Sequence, residues 1–251
     1  MRLKAILFDM GGTLDTYRYD RDSALATLPA MRSLLSAAGS MAAGLGDEEL
    51  LRLVEDGGKS YSRVRETDLV ELPPDRVWRE FYLREGGLVG LGPEIGESLA
   101  YLVDTGFFPR SLRPGAAEAL RALKSRGLAL GVVSNVLSRG QVPGDLGRYG
   151  IRGLFDAVLT SSEFGRRKPD PAIFHRAAEM VGAAPAECAY VGDRVSRDVA
   201  GARRAGFALA VRIRHDYVEA GEPEEPAPDL VIDALGELVP AVDRFQTGGS
   251  R

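Results

Sequence analysis

The first apolar stretch of the chain, Ala5-Ile6-Leu7-Phe8, is hydrophobic at every position and runs straight into Asp9. Strict alternation would mark a strand with one wet face. An unbroken short run instead marks a strand covered on both faces, as in a parallel sheet enclosed by helices. Comparable runs return at 128–133, 156–160, 188–191, 207–213 and 230–232. Between them the apolar spacing lengthens to a helical period. Residues 116–126 carry Ala116, Leu120 and Leu123 on one face and stop at Gly127, and further helices are predicted at 171–181, 199–205 and 235–245. This alternation predicts an α/β fold, a doubly wound parallel sheet joined by right-handed crossovers.

The stretch between the first two strands reads differently. Residues 21–38, 47–65, 74–84 and 93–104 all favour helix, with turn clusters between them and no strand pattern. The expected organisation is therefore a core made of 1–15 and 111–251, with 16–110 inserted as a helical cap that excludes water and selects substrate. The acidic, Pro-rich segment 221–228 reads as an exposed loop and 246–251 as a frayed tail.

Composition narrows the function. With 251 residues, 45% of them hydrophobic, the chain can bury a full core. A formal charge of −4 gives no basic field for a polyanion, so no nucleic-acid partner is expected. Cys188 is the single cysteine; it excludes a disulfide framework or multi-thiolate metal site and reads as a buried thiol. Neither a signal peptide nor an 18-residue apolar run is present, which leads to the expectation of a soluble cytoplasmic protein without a membrane partner.

The candidate chemistry lies at the ends of the predicted strands. Asp9, Ser134 with Asn135, Lys168, and Asp193 with Asp198 all fall at the edge where open α/β sheets bind ligands. Gly11-Gly12 follows Asp9 and can bring backbone N–H groups close to an anion. Carboxylates at 9 and 193 on neighbouring strands make a hard-oxygen pocket suited to Mg²⁺.

Four short motifs in this order resemble those of the haloacid dehalogenase-like hydrolase superfamily: Asp-Met-Gly-Gly-Thr-Leu at 9–14, Val-Val-Ser-Asn at 132–135, Lys168-Pro169-Asp170-Pro171, and Gly192-Asp193 through Asp198. The resemblance covers nearly the whole chain, with the helical insertion in the place of the family's C1 cap and a Rossmann-like core around it. It implies that Asp9 attacks phosphorus and becomes a phosphoaspartate. Ser134 and Lys168 would hold the transferring phosphoryl group, with Gly12 and Asn135 beside them. Mg²⁺ would be held by Asp9, the Gly11 carbonyl, Asp193 and Asp198. The expected activity is hydrolysis of a small-molecule phosphate ester.

One position departs from that pattern. Family phosphatases usually carry a second aspartate two residues after the nucleophile, as general acid and then base; here it is Gly11. Asp15 is the nearest substitute, although such a residue more often braces its segment, and Asp22, Glu55, Asp56, Glu66 and Asp68 are acidic positions of the insertion. Two other readings stay open. A haloacid dehalogenase uses the aspartate nucleophile without the second carboxylate, and a non-catalytic or regulatory protein would keep the fold to bind a phosphorylated ligand. Oligomeric state is not readable from the sequence.

Overall fold

In a computed structural model the described residues are 2–84, 90–215 and 222–248. Six strands form a parallel sheet: β1 (Ala5–Phe8), β4 (Ala129–Ser134), β5 (Ala157–Thr160), β6 (Cys188–Gly192), β7 (Leu209–Ile213) and β8 (Leu230–Ile232), in spatial order β5-β4-β1-β6-β7-β8. β1 is central. Its register pairs Phe8 with Val132 on one side and with Val191 on the other.

Successive side chains of a strand point to opposite faces, and both faces of this sheet are covered. Ile6, Phe8, Leu130, Val132 and Val191 pack under α5 (Ala116–Lys124), α6 (Gln141–Arg148) and α10 (Leu238–Gly248). Ala5, Leu7, Val133, Cys188 and Tyr190 pack under α8 (Pro171–Met180) and α9 (Ala200–Arg204). This is why the strands read as unbroken apolar runs. Cys188 is fully buried, and burial pushes its thiol up to about 12, as expected of a structural cysteine.

A separate apolar cluster belongs to the inserted helices α1 (Arg21–Ala37), α2 (Asp47–Asp68), α3 (Pro74–Val77) and α4 (Pro93–Leu102). Leu28, Met31, Leu50, Val54, Val77, Trp78, Leu99 and Phe107 form its centre, and Leu137, from the loop after β4, plugs into it. α1 begins where the Asp20 carboxylate accepts the Ser23 N–H at 2.8 Å, a side-chain cap. The helices expected at 74–84 and 93–104 finish as π-helical turns, Trp78–Leu83 and Val103–Phe107.

Several elements escape the sequence pattern. β2 (Asp15–Tyr17) and β3 (Arg110–Leu112) pair antiparallel, Thr16 opposite Ser111, so that the chain leaves and re-enters the core along one ribbon. Three residues are too few to show a period. α6 was hidden by Pro143 and Gly144; Pro143 sits in the helix's first turn, where a missing N–H costs no intrahelical bond. Of the expected exposed loop, Gly221 lies outside the described residues, as do 249–251 of the expected tail.

Candidate active site

β1 lies at the reversal of strand order, with β4 and β5 to one side and β6, β7 and β8 to the other, and ligands of open α/β sheets bind at such a crevice. Asp9 extends β1 there, its N–H still donating to the Val191 carbonyl at 2.9 Å. Asp193 and Asp198 follow β6, Ser134 ends β4, and Lys168 lies on the loop before α8. The structure thus brings together all four separated motifs, around a cavity of about 340 Å³ that Asp9, Gly11, Ser134, Asn135, Lys168, Asp193 and Asp198 line.

The Lys168 ammonium is the hub. It donates to Asp9 Oδ1 at 2.7 Å, to Asp198 Oδ1 at 2.7 Å and to the Tyr190 hydroxyl at 2.9 Å. Burial alone would lower its pKa, but the Asp198 and Asp9 charges outweigh that and raise it, so the ammonium stays charged. The Tyr190 hydroxyl in turn donates to the Val133 carbonyl at 3.1 Å. This phenol was indistinguishable in the sequence from any other strand residue.

Negative charge nevertheless exceeds positive at this spot. Asp9, Asp193 and Asp198 can offer carboxylate oxygens lying within 4.8 Å of one another. Burial, then the Asp9 and Asp198 charges, push the Asp193 carboxyl well above its ordinary value, and burial likewise raises Asp9. Asp193 Oδ1 is buried without a hydrogen-bond partner among the described residues, and nothing there donates to the Gly11 carbonyl. A hard-oxygen cluster with an orphaned lone pair fits a divalent cation such as Mg²⁺.

Two of the residues expected to contact the anion make other bonds in this structure. The Gly12 N–H donates to the Asp15 carbonyl at 2.8 Å and so closes the turn instead of facing a ligand. What position 12 requires is room: with φ at +85°, a Cβ would collide with the Asp193 carboxylate. The Asn135 side chain is also engaged, donating to the Lys168 carbonyl at 3.0 Å and accepting the Lys168 N–H at 2.9 Å. It holds the Lys168 loop against the end of β4.

The space beside Gly11 is filled. Tyr17 Cε1 lies 2.8 Å from where a Cβ would stand, and Arg110 Nη1 3.3 Å from it. The Arg110 guanidinium stacks 4.5 Å over the Tyr17 ring. Asp15, the nearest candidate replacement acid, is fully buried, accepts from Arg110 at 3.2 and 3.4 Å and from the Tyr149 hydroxyl at 3.1 Å, and does not line the cavity. It braces the ribbon.

Guanidinium groups of Arg65, Arg110, Arg167, Arg194 and Arg197 complete the wall, a cationic lining suited to a phosphate dianion. Most are tied. Arg197 meets Glu66 at 3.2 Å and Arg194 meets Glu222 at 3.4 Å. Arg167 forms a buried ion pair with Glu71, which also accepts from Ser161 Oγ at 2.6 Å and the Tyr61 hydroxyl at 2.7 Å. That network joins the helical layer to the core one residue before Lys168.

Above the cavity lies a mostly apolar chamber of about 580 Å³, between Trp78, Tyr82, Phe107 and Phe108, with Glu55 and Lys59 among its lining. Of the acidic insertion residues singled out from sequence, Glu55 is bonded by the Tyr19 hydroxyl at 2.6 Å, Asp56 pairs with Lys59 at 3.1 Å, and Asp22 and Asp68 are exposed. Asp104, the last residue of the fourth expected helix, was not among them, yet it lines both spaces.

The chain is similar to several known proteins. A protein of Methanopyrus kandleri named glyceraldehyde 3-phosphate phosphatase is 33% identical over 247 residues, 96% of this chain and 97% of its own length. A phosphoserine phosphatase of Thermus thermophilus is 36% identical over 65% of this chain and 63% of its own length. The crystal structure of a phosphatase from Thermococcus onnurineus shares the fold with a TM-score of 0.60 at 24% identity, covering 99% of this chain and all of its own. The profile of the haloacid dehalogenase-like hydrolases matches residues 3–206, and the chain belongs to that family.

Proposed function

We propose that the protein is a Mg²⁺-dependent cytoplasmic phosphatase that hydrolyses a small phosphorylated metabolite through a phosphoaspartate on Asp9. The observation that carries this reading is the Lys168 ammonium, held 2.7 Å from both Asp9 and Asp198 at the floor of an arginine-lined cavity. Asp9 is the nucleophile. Lys168 holds its carboxylate in place and, with Ser134, faces the phosphoryl oxygens whose charge grows in transfer. Asp9, Asp193, Asp198 and the Gly11 carbonyl would hold Mg²⁺, which supplies Lewis-acid polarisation of the phosphoryl group. Residues 16–110 act as the cap, and the chamber between its aromatic side chains receives the organic part of the ester. None of the described helices is long and apolar enough to cross a membrane, in keeping with an aqueous metabolite as substrate.

Since full-length relatives are named for glyceraldehyde 3-phosphate, that ester and phosphoserine are the first substrates to assay with Mg²⁺. Phosphate release that disappears in Asp9→Asn is the expected result. No release above that control, with the ligand still bound, would move the protein to the non-catalytic reading. Gly11 also suits dehalogenation, which uses no metal; the orphaned Asp193 oxygen counts against it, and chloride release from 2-chloropropionate tests it.

A further inference from the structure

The phosphatase reading leaves a gap: an alkoxide leaving group needs a proton, and Gly11 provides none. Tyr17 and Arg110 occupy the space where an acid at position 11 would reach. Asp15 has both oxygens engaged and stands outside the cavity. Tyr17 itself lines the cavity, but a phenol is too weakly acidic to serve next as an ionised base near neutral pH.

The bridging oxygen of a bound ester must lie between the phosphoryl cavity and the chamber that takes the organic group. Among the described residues, four line both spaces: Arg65, Asp104, Phe108 and Leu137. Only Asp104 among them can give and take a proton near neutral pH, since guanidinium stays charged. Its carboxyl is positioned by the core. Oδ2 accepts the Ser138 N–H at 2.9 Å, on the loop that follows Ser134, while nothing among the described residues donates to Oδ1. Ser138 is itself fixed, its hydroxyl donating to Glu97 Oε1 at 2.7 Å.

We propose that Asp104, on the helical layer, is the general acid and base of this enzyme and performs the role that Gly11 cannot. This rests on the phosphatase reading. In the first step Asp9 forms a bond to phosphorus, the bond from phosphorus to the ester oxygen breaks, and Oδ1–H of Asp104 gives its proton to the departing oxygen. In the second, ionised Asp104 takes a proton from water as that water bonds to phosphorus and the Asp9–phosphorus bond breaks. Ester and water become alcohol and phosphate, and Asp104 ends protonated as it began. The groups acting on it suit both duties: burial raises its carboxyl from 3.8 to about 6, against the Ser138 N–H, Arg110 and Arg65, with Glu71 raising it further and Tyr82 facing it as a neutral phenol.

The test compares Asp104→Asn with wild type on glyceraldehyde 3-phosphate and on acetyl phosphate, whose acyl leaving group needs no acid. Asn keeps the acceptor for Ser138. Phosphoenzyme formation from the alkyl ester should fall about 10²-fold or more. Acetyl phosphate should still label Asp9, seen by intact mass, and the label should persist because the second step has lost its base. In wild type, labelling by the alkyl ester should decline as pH rises through about 6 and hydrolysis of the label should decline as pH falls through it; the variant should lose both limbs. Asp104→Glu should recover part of the rate. Phosphoenzyme formation that is unchanged with both substrates, or lowered equally with both, would overturn the assignment while leaving the phosphatase reading intact. A wild type that neither hydrolyses the alkyl ester nor becomes labelled by acetyl phosphate would overturn the phosphatase reading and this assignment together.

Discussion

The edge of the Tyr17 ring stands 2.8 Å from the point at which a side chain on Gly11 would start. A family acid cannot simply be restored at this position, because the ring and the guanidinium stacked on it must first move. Gly11→Asp alone should destabilise the protein by about 1–3 kcal/mol, as other overpacked substitutions do. Combined with Tyr17→Ala the two changes should be non-additive, the double variant recovering most of that loss in a double-mutant cycle followed by chemical denaturation. Additivity would mean that the ring yields freely.

The unpartnered Asp193 oxygen predicts tight coupling between metal and stability. Mg²⁺ at a hundred times its Kd should stabilise the fold by about 2.7 kcal/mol if only the folded state binds it. Differential scanning calorimetry with and without EDTA should show the rise in Tm, and Asp193→Asn should reduce it. Removing Mg²⁺ should also abolish phosphate release.

How much of this was legible in the sequence follows from what each signal depends on. Asp9, Ser134 and Asp193 were readable because each ends or follows an apolar run, and a parallel sheet carries all such ends to one edge, while Lys168 and Asp198 were readable from the short motifs that hold them. Gly12 and Asn135 were read as anion contacts because they stand beside Asp9 and Ser134. Only the geometry shows that one makes room for Asp193 and the other clamps the Lys168 loop. Asp104 and Tyr190 were missed for another reason. Their contacts depend on which way a helix end and a strand face point, and spacing along the chain does not encode a partner more than 20 residues away. The β2–β3 ribbon was lost to shortness, since three residues cannot display an alternation.

The Arg167–Glu71 pair should be costly to break from one side. Both side chains are nearly inaccessible, 2% and 0%, so Arg167→Met strands a buried carboxylate whose remaining donors are hydroxyls. The expected loss is about 3–5 kcal/mol, measured by urea denaturation. Replacing both partners together, as Arg167→Met with Glu71→Leu, should cost less than the single change.

Asp15 gives stability a specific pH dependence. Burial raises its carboxyl from 3.8 to about 6, although Arg110 and Tyr149 pull the other way. The folded protein therefore retains this proton where the unfolded chain has released it. The contribution is fully present below pH 3.8 and is lost as pH climbs to about 6. Asp15→Asn has no such proton, so relative to wild type it should gain roughly 3 kcal/mol across that window, from a shift of about two pH units. Parallel denaturation curves at the two ends of the window check the sign.

Asp15, Thr16 and Tyr17 face Leu112, Ser111 and Arg110 across the ribbon, and the same few residues carry the stopper over Gly11. The helical layer is therefore joined covalently to the core through a single stem. A chimera that joins a foreign helical layer distal to Tyr17 and Arg110 inherits the stopper along with the stem. One spliced at Asp15 and Leu112 discards it and opens Gly11, so the choice of splice point alone decides whether position 11 can be given a working side chain.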